Sequence, residues 1–545
     1  MARLKAFFTH ARPGTRLRQA LWLSLALLGL RLHASYGLGY GDAEALYASY
    51  AMHPQPAYLD HPGLIGYLLR LLGGGTAPSP QSAHALSAVV ATLVPWLGAL
   101  AARASGLTWE RAALTVLALA LVPELSVGLF GVSPDLPLAV CWLTALALAL
   151  HLNRALPEHA STLPVLLSWL GLGLLLGLGV LAKVSAALLC AALFVASFGP
   201  GLRRYWRGPG PWCALGCGAI LIAPLAIWEL RHDFPMLEHR LVTTQTESGL
   251  GLKNLLKFVG GQLVYVTPPF LMAGYLVARD LYAKRHNDSA SQVLWLSLVI
   301  PLSVLTVLSL WSARAEPHWV APALLPLGIH AARMERLPRR LGIACLATGA
   351  VLTAGVWLAV KTDAYIKLAT SSLGEALGGY QPRYDLTNDL YAWGPGQRVL
   401  RQAVDHVSST TGHTPVVVGA PHWMVCAQAQ VAVRDRVPVG CHSILPTDFD
   451  RWTPRADWLK AGTLLLVEDS RYPVLETQEF PLRQVRGTWR AQVRRAGRVV
   501  RTIHITSLEK TSDVASAGLT GTGLTGIGRL TPQAERHAPS SAAAR

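Results

Sequence analysis

Long apolar stretches recur along the first two thirds of this sequence and constrain its fold more than any other feature. About 20 such residues in a helix span the roughly 30 Å hydrocarbon core of a bilayer. The stretches lie near residues 20–37, 83–102, 112–130, 135–152, 163–182, 184–200, 211–229, 258–278, 292–311, 318–332 and 341–360. The sequence therefore predicts a polytopic α-helical membrane protein with about eleven transmembrane helices.

The formal net charge of +17 raises the question of nucleic-acid binding. However, 52% of the residues are hydrophobic and only 14% are charged, which is too apolar for an ordinary soluble enzyme of 545 residues. The basic residues lie between the apolar stretches, as expected for a membrane protein. We therefore expect the lipid bilayer as a partner and no nucleic acid.

The distribution of Lys and Arg predicts the orientation of the chain, because cytoplasmic loops carry an excess of these residues. Alternate connections place most of them on one side: Arg3, Lys5, Arg12, Arg16, Arg18, Arg103, Arg111, Arg154, Arg203, Arg204, Arg207, Arg279, Lys284, Arg285, Arg333, Arg336, Arg339 and Arg340. We expect a multi-pass protein of the cell inner membrane. Its N-terminus would be cytoplasmic and its C-terminal domain periplasmic.

Four regions follow from these patterns. They are a cytoplasmic N-terminus at 1–19, a transmembrane domain at 20–360 with a first outer loop at 38–82, a periplasmic soluble domain at 361–508, and a tail at 509–545. The soluble domain is predicted to be α/β, because the β-branched and apolar runs at 416–418 and 464–467 are typical of strands. The tail is rich in Ser, Thr, Gly and Ala and is predicted to be disordered.

Two of the seven cysteines, Cys426 and Cys441, fall in the outward domain, where oxidation can occur. They are candidates for a disulfide or for two free thiols. The other five lie in apolar stretches, where a cysteine is usually a small apolar residue.

The segment 39–70 holds the densest group of ionisable residues near a membrane boundary. Asp42 and Glu44 follow the first span, and Asp60, His61 and Pro62 come shortly afterwards. Ionisable residues at membrane depth are costly and are usually functional. The simpler alternative is that the two carboxylates mark the water boundary. The apolar stretch at 63–75 that follows is too short to cross and fits an interfacial helix.

This segment resembles the polyprenyl-phosphate-dependent glycosyltransferases of the C-type fold, specifically the protein-mannosyltransferase and aminoarabinose-transferase branch. That family carries an acidic pair, a His-Pro and then Tyr-x-Asp-His-Pro-Pro-Leu. The matching pieces here are His53-Pro54, Tyr58-Leu59-Asp60-His61-Pro62-Gly63-Leu64, and later GVSPDLPLAVCW (131–142), IWELRHDFPMLEHR (227–240), SARAEPHWVAPAL (312–324), DLTNDLYAWGP (385–395) and HSILPTDFDRWTP (442–454). The chain departs from the pattern at Gly63, and the family's Asp-Glu pair falls on Ala43-Glu44.

The resemblance implies an enzyme that moves a single sugar from a polyprenyl-phosphate donor to a hydroxyl acceptor at the periplasmic face. The acceptor would be a protein, lipid A or another glycan. An inverting displacement needs a carboxylate base for the hydroxyl proton, and Asp42 or Glu44 is the candidate.

Other residues receive roles from the same resemblance. Acceptor or divalent-metal binding is assigned to Asp60, His61, Glu316, His318 and His239, with the metal itself left open. Contact with the donor phosphate is assigned to Lys183, Arg240 and Arg231, because positive charge stabilises a phosphate leaving group. Asp135 lies in a turn between prolines as a substrate contact or a helix cap, and Lys183 has the alternative of snorkelling at a helix end.

Two other classes of protein remain as alternatives. One is a lipid or solute transporter or flippase without transfer chemistry, and the other is a ligase that uses a lipid-linked polymer. A transporter typically has repeated halves and a site at the membrane midplane, whereas the polar residues here gather near the outer boundary. A Walker-type phosphate loop is absent from the sequence, which favours a lipid-linked donor over a nucleotide.

Overall fold

A computed structural model describes residues 14–154, 162–245, 248–312, 315–410, 415–472, 480 and 483–510. Residues 511–545 of the predicted disordered tail and residues 1–13 of the predicted cytoplasmic N-terminus lie outside these ranges. The described chain forms a helical domain followed by a smaller domain built on one five-stranded sheet.

The helical domain begins with α1 (Thr15–Ser35), and the first long loop holds α2 (Asp42–Met52) and α3 (Leu64–Leu72). The helices that follow are α4 (Pro80–Ala104), α5 (Trp109–Leu119), α6 (Pro123–Ser126), α7 (Asp135–Arg154), α8 (Leu163–Ala182), α9 (Ala186–Ser197), α10 (Gly210–Arg231), α11 (Pro235–Leu241), α12 (Leu252–Tyr265), α13 (Pro268–Lys284), α14 (Ser289–Trp311), α15 (Ala321–Arg333) and α16 (Arg339–Lys361).

The predicted fold class is confirmed by these helices. Among the described residues, α4, α7, α8, α10, α14 and α16 are each long and apolar enough to cross a bilayer alone. The predicted spans at 20–37, 184–200 and 318–332 coincide with α1, α9 and α15, of which the last two have only 12 and 13 residues. At 1.5 Å per residue such helices reach about 20 Å, less than the hydrocarbon thickness.

Two predicted straight spans are broken in the structure, and proline explains both breaks. The stretch at 258–278 divides into α12 and α13, which meet at 96°. Pro268 and Pro269 lack the amide hydrogens that would continue α12, and Thr267 before them has φ +74°. The stretch at 112–130 likewise ends its first helix at Leu119, and α6 begins at Pro123.

The smaller domain contains α17 (Ala364–Ala369), α18 (Ser372–Ala376), α19 (Asp389–Thr410), α20 (Trp423–Val433), α21 (Asp448–Trp452) and α22 (Arg455–Trp458). Its strands are β1 (Val416–Ala420), β2 (Val439–Cys441), β3 (Thr463–Asp469), β4 (Arg483–Arg495) and β5 (Arg498–Lys510), in the order β2-β1-β3-β5-β4. The pairs of β1 with β2 and β3 are parallel, and the remaining pairs are antiparallel. Strands were expected at 416–418 and 464–467, within β1 and β3.

Cys426 in α20 and Cys441 at the end of β2 form a disulfide. It ties a helix to the parallel edge of the sheet and closes a short loop, which restricts the unfolded chain.

The first outer loop and the smaller domain share one hydrophobic core. Its buried members include Tyr40, Tyr50 and Tyr58 from the loop, together with Trp393 and Phe449 from the smaller domain. The backbone amide of Gly39 also donates to the carbonyl of Leu390 at 2.8 Å. We call the end of the helices that contacts this domain the domain end, and the opposite end the far end.

Candidate active site

A group of charged and polar side chains, which we call the polar cluster, lies at the domain end beside the first loop. Hydrogen bonds, ion pairs and electrostatic interactions link its members. They are Tyr47, Asp60, His61, Asp135, Lys183, His239, Arg240 and His318.

Asp60 and His61 reach the cluster from a tight turn of the loop. Ala57 pairs with Pro62 in an isolated bridge, and the ring of Tyr58 stacks on Tyr50 with centroids 3.6 Å apart. A Cβ atom at position 63 would lie 2.0 Å from the carbonyl oxygen of Gln55. The turn therefore requires glycine at position 63, which accounts for the departure from the family's second proline.

Arg240 holds this turn from α11. Its Nε and NH2 donate to the backbone oxygen of Asp60 at 2.9 and 2.6 Å, and NH2 lies 3.2 Å from the Asp60 carboxylate. His239 lies 3.9 Å from the same carboxylate. Of the phosphate candidates, Arg240 is therefore in the cluster, whereas Arg231 is exposed at the end of α10.

A second ion pair joins Lys183 Nζ to Asp135 Oδ1 at 2.8 Å. Helix geometry positions both residues, because Lys183 caps the C-terminal end of α8 and Asp135 is the first residue of α7. The polar ends of two spanning helices thus meet at the boundary of the apolar region. This pair was not predicted from the sequence, although each partner was a candidate.

His61 is an uncharged member of the cluster at neutral pH. Burial, together with the nearby cations Arg240 and Lys183 and with His318, holds its pKa well below the usual value. The hydroxyl of Tyr47 lies 3.4 Å from His61 Nε2. A neutral imidazole here can accept or donate a hydrogen bond without adding to the positive charge.

The remaining acceptor or metal candidate, Glu316, pairs with Lys257 at 3.0 Å and interacts electrostatically with His318. No three His, Cys, Asp or Glu side chains of the described residues are grouped so that they could hold a metal ion. The divalent-metal hypothesis therefore stays a prediction without a ligand set.

Glu44 is enclosed by protein donors. Its carboxylate accepts from the amide of Gly41 at 2.7 Å in a capping box, from the amide of Val132 at 2.8 Å, and contacts His84 Nε2 at 3.0 Å. His84 is fully buried on α4. Glu44 therefore fastens α2 to a spanning helix and to the loop that leads to Asp135.

Asp42 faces the smaller domain. Tyr472 donates to its Oδ2 at 2.5 Å and Gln428 to its Oδ1 at 3.2 Å, and Arg471 lies 3.7 Å away. Arg501, at 4.0 Å, bridges it to Asp469 and Asp389, so three carboxylates share two guanidinium groups. Burial raises the pKa of Asp42, although Tyr472 and Arg501 oppose the shift. The catalytic hypothesis for Asp42 or Glu44 stays a prediction.

The carboxylate of Asp448, in α21 of the smaller domain, also contacts the first outer loop. The amide of Leu59 donates to its two oxygens at 3.1 and 3.3 Å, and Tyr50 donates to Oδ2 at 3.4 Å. Asp448 therefore docks the smaller domain on the residue next to Asp60.

This contact predicts a pH dependence of stability. Burial raises the pKa of Asp448 from 3.8 to about 7, so the folded protein retains a proton that the unfolded chain releases. This proton contributes at most about 4 kcal/mol to the free energy of unfolding. The contribution is complete below pH 3.8 and is lost as the pH rises to about 7. We expect Asp448→Asn to flatten the fall of the apparent Tm between pH 5 and 7.

The measurement is thermal unfolding of the purified protein in detergent at several pH values. Asp457→Asn, at an exposed aspartate of the neighbouring α22, should keep the native slope. An unchanged slope in Asp448→Asn would show that another group titrates.

An apolar groove of about 1150 Å³ runs between α5, α13, α15 and α16. At the domain end it is lined by Glu124 and Val266. Glu124 interacts electrostatically with Asp135 and Lys183, so the polar cluster adjoins the mouth of the groove. At the far end the lining includes several arginines.

Several functional candidates were missed by sequence reasoning. Tyr47, His84 and Glu124 lie in apolar surroundings and match no quoted motif, while Tyr472 and Arg501 come from a domain whose docking was not foreseen. The signal of an ionisable residue inside a predicted span was available for Glu124, in the span at 112–130, and for His84, in the span at 83–102.

Comparison with known proteins gives two kinds of match. Residues 60–228 match the family described as dolichyl-phosphate-mannose-protein mannosyltransferase. The fold resembles that of ArnT from Cupriavidus metallidurans in the apo state, with 14% identity, a TM-score of 0.59, and coverage of 90% of this chain and 97% of that one. The form of that protein bound to undecaprenyl phosphate gives 14% identity and a TM-score of 0.57, covering 91% and 98%. No curated protein matches the sequence.

These matches confirm the predicted resemblance to polyprenyl-phosphate-dependent glycosyltransferases of the C-type fold. The family match over residues 60–228 also bears out the prediction of a glycosyltransferase enzyme, whereas the solved structures show the fold. The family match begins at Asp60 and includes Asp135 and Lys183. It therefore includes both carboxylates of the polar cluster that are paired with cations.

Proposed function

We propose that the polar cluster transfers a single sugar from a polyprenyl-phosphate donor to a hydroxyl acceptor. The proposal rests on one observation: two ion pairs lie at the mouth of an apolar groove. Lys183 pairs with Asp135, and Arg240 pairs with Asp60. A lipid-linked donor needs apolar surface for its chain and positive charge for its phosphate. The ArnT structure with undecaprenyl phosphate supports the same donor class.

The donor phosphate would replace the carboxylates as the partner of the two cations. Lys183 and Arg240 would then stabilise the charge that develops on the phosphate as the bond to the anomeric carbon breaks. Asp135, released from Lys183, would be free to accept a proton. Donor binding would thus free the Asp135 carboxylate to act as a base, because the donor phosphate takes its place as the partner of Lys183.

The reaction is proposed as one inverting displacement. The acceptor oxygen attacks the anomeric carbon, the carbon–oxygen bond to the phosphate breaks, and polyprenyl phosphate leaves. Asp135 takes the hydroxyl proton, with Asp60 and the neutral His61 orienting the acceptor. We prefer Asp135 to Asp42 and Glu44 because both of those carboxylates are satisfied by protein donors.

The proposed orientation places the domain end in the periplasm and the N-terminus in the cytoplasm. The basic connections support this orientation. The acceptor at the periplasmic face would be a protein, lipid A or another glycan, and the C-terminal domain would lie on the same side of the membrane.

The test is transfer of labelled sugar from defined undecaprenyl-phosphate sugars in membranes that contain the protein, followed by analysis of the anomeric configuration of the product. We expect inversion relative to the donor. Retention would contradict the single displacement. Failure to transfer from every donor, with movement of labelled lipid across the bilayer, would favour the transporter, and transfer of a preassembled polymer would favour the ligase.

A further inference from the structure

The far end of the groove carries an unusual concentration of positive charge, which we call the arginine rim. Its members are Arg16, Arg111, Arg336 and Arg339; the carboxylates beside them are Glu335 in the same lining and Glu110, which accepts from the backbone amide of Arg16 at 3.2 Å. The first turns of α1, α5 and α16 supply three of them. Because α1 and α16 both end beside the smaller domain, their first turns lie at the opposite end of the helical domain.

Two of the rim side chains are incompletely satisfied. Among the described residues, Nε of Arg16 and Nε of Arg339 are buried and lack a hydrogen-bond partner. Arg111 is different, since it donates to the carbonyls of Ala332 at 3.1 Å and Met334 at 2.7 Å and thereby fixes the connection before α16. Arg111 thus fixes the rim in place, while Arg16 and Arg339 each have an N–H donor without a partner in the described part of the chain, next to apolar surface.

The rim is too far from the polar cluster to serve the same phosphate. Ala321, the first of the 13 residues of α15, and Met334, which follows the last, both line the groove, so the groove extends for about 20 Å. A donor whose phosphate contacts Lys183 cannot place that phosphate at the rim. The rim therefore calls for a separate anionic group.

We infer that the arginine rim and the adjoining part of the groove bind an anionic glycerophospholipid of the leaflet at the far end. Its phosphate pairs with the guanidinium groups, which match phosphate oxygens in geometry and charge. One acyl chain lies in the groove among Leu114, Ala278 and Leu346. Basic pockets between transmembrane helices on the cytoplasmic side are suited to such head groups, and the proposed orientation places the rim on that side.

The test is binding of dioleoylphosphatidylglycerol and dioleoylphosphatidylcholine to the purified full chain, measured by native mass spectrometry. The two lipids share acyl chains and differ in charge. We expect the double variant Arg16→Gln/Arg339→Gln to weaken phosphatidylglycerol binding about tenfold, with no effect on phosphatidylcholine. The control Arg103→Gln/Arg340→Gln removes the same charge at exposed arginines that do not line the groove, and should bind as the native chain does.

A second variant tests the groove without touching the rim. A Cβ at Gly274 meets only Leu327 at ordinary contact distance, so Gly274→Phe can fill the groove while the fold is kept. It should weaken binding of both lipids. Equal binding of the two lipids by the native chain, or equal behaviour of the rim and control variants, would overturn the inference. So would binding of undecaprenyl phosphate that the rim variant weakens as strongly as it weakens phosphatidylglycerol binding, which would assign the rim to the donor. None of these readouts depends on sugar transfer.

Discussion

Lys183→Met is expected to lower kcat/KM for sugar transfer by at least about 100-fold, which corresponds to roughly 3 kcal/mol of lost transition-state stabilisation. Lys183 is the cation paired with Asp135 at the end of α8. Methionine keeps the length of the side chain and its apolar stem but removes the charge that would balance the leaving phosphate. The measurement is initial rate against donor concentration in detergent or reconstituted membranes.

The matched control is Lys284→Met. Lys284 also forms an ion pair with an aspartate, Asp280, but it lies at the end of α13 away from the polar cluster. This variant should retain native rates. If Lys183→Met changes kcat/KM by less than about threefold while thermal unfolding is unaltered, the phosphate is held elsewhere. Thermal unfolding of the double variant Lys183→Met/Asp135→Asn, compared with that of Lys183→Met, shows how much stability is lost when the Asp135 carboxylate is left unpaired.

Asp135→Asn is expected to lower kcat by about 100- to 10,000-fold, the range for loss of a general base. Asparagine preserves the shape and a hydrogen bond to Lys183 but cannot accept the acceptor's proton. The same assay should show a smaller kinetic effect for Asp42→Asn and Glu44→Gln, together with lower thermal stability. Both of these residues lie among protein donors in the folded chain.

This comparison decides between the two assignments of the base. Full activity in Asp135→Asn, with loss in Asp42→Asn or Glu44→Gln at native stability, would return the role to the pair at the start of α2. A surface control, Asp405→Asn, removes a carboxylate that pairs with Arg436 on the smaller domain and should not alter transfer. The pH profile of kcat adds a second readout, because the acid limb should disappear only in the variant that lacks the base.

The helical fold was predictable because each spanning helix must satisfy its own backbone and expose apolar side chains to lipid. That constraint is local, so the boundaries of α8 at 163–182 were predicted to the residue. The bend between α12 and α13 depends on whether Pro268 kinks a helix or ends it, which hydropathy does not reveal. Short helices such as α9 are likewise supported by packing against neighbours that a sequence window cannot identify.

The sequence predicted which residues belong to the polar cluster better than it predicted the contacts between them. Asp60, His61, Lys183, Arg240 and Asp135 were all candidates, because charged residues near the membrane boundary are rarely incidental and because the family resemblance implies roles for them. Their pairing joins positions up to 180 residues apart, as in Arg240 with Asp60, and nothing in local sequence specifies it. The contacts of Asp42 show the same limit more strongly, since Tyr472 is 430 residues away.

The contacts between Asp42 and the smaller domain have a consequence for the order in which the protein matures. Ribosomes deliver the helical domain first, and Tyr472 and Arg501 emerge only after all of its helices. Until then α2 has a charged residue at its first position without the partners that enclose it in the finished chain. The loop that carries Asp60 thus becomes fully fastened only when the strands of the smaller domain have folded, so a chain interrupted before β5 would lack the contacts that enclose Asp42.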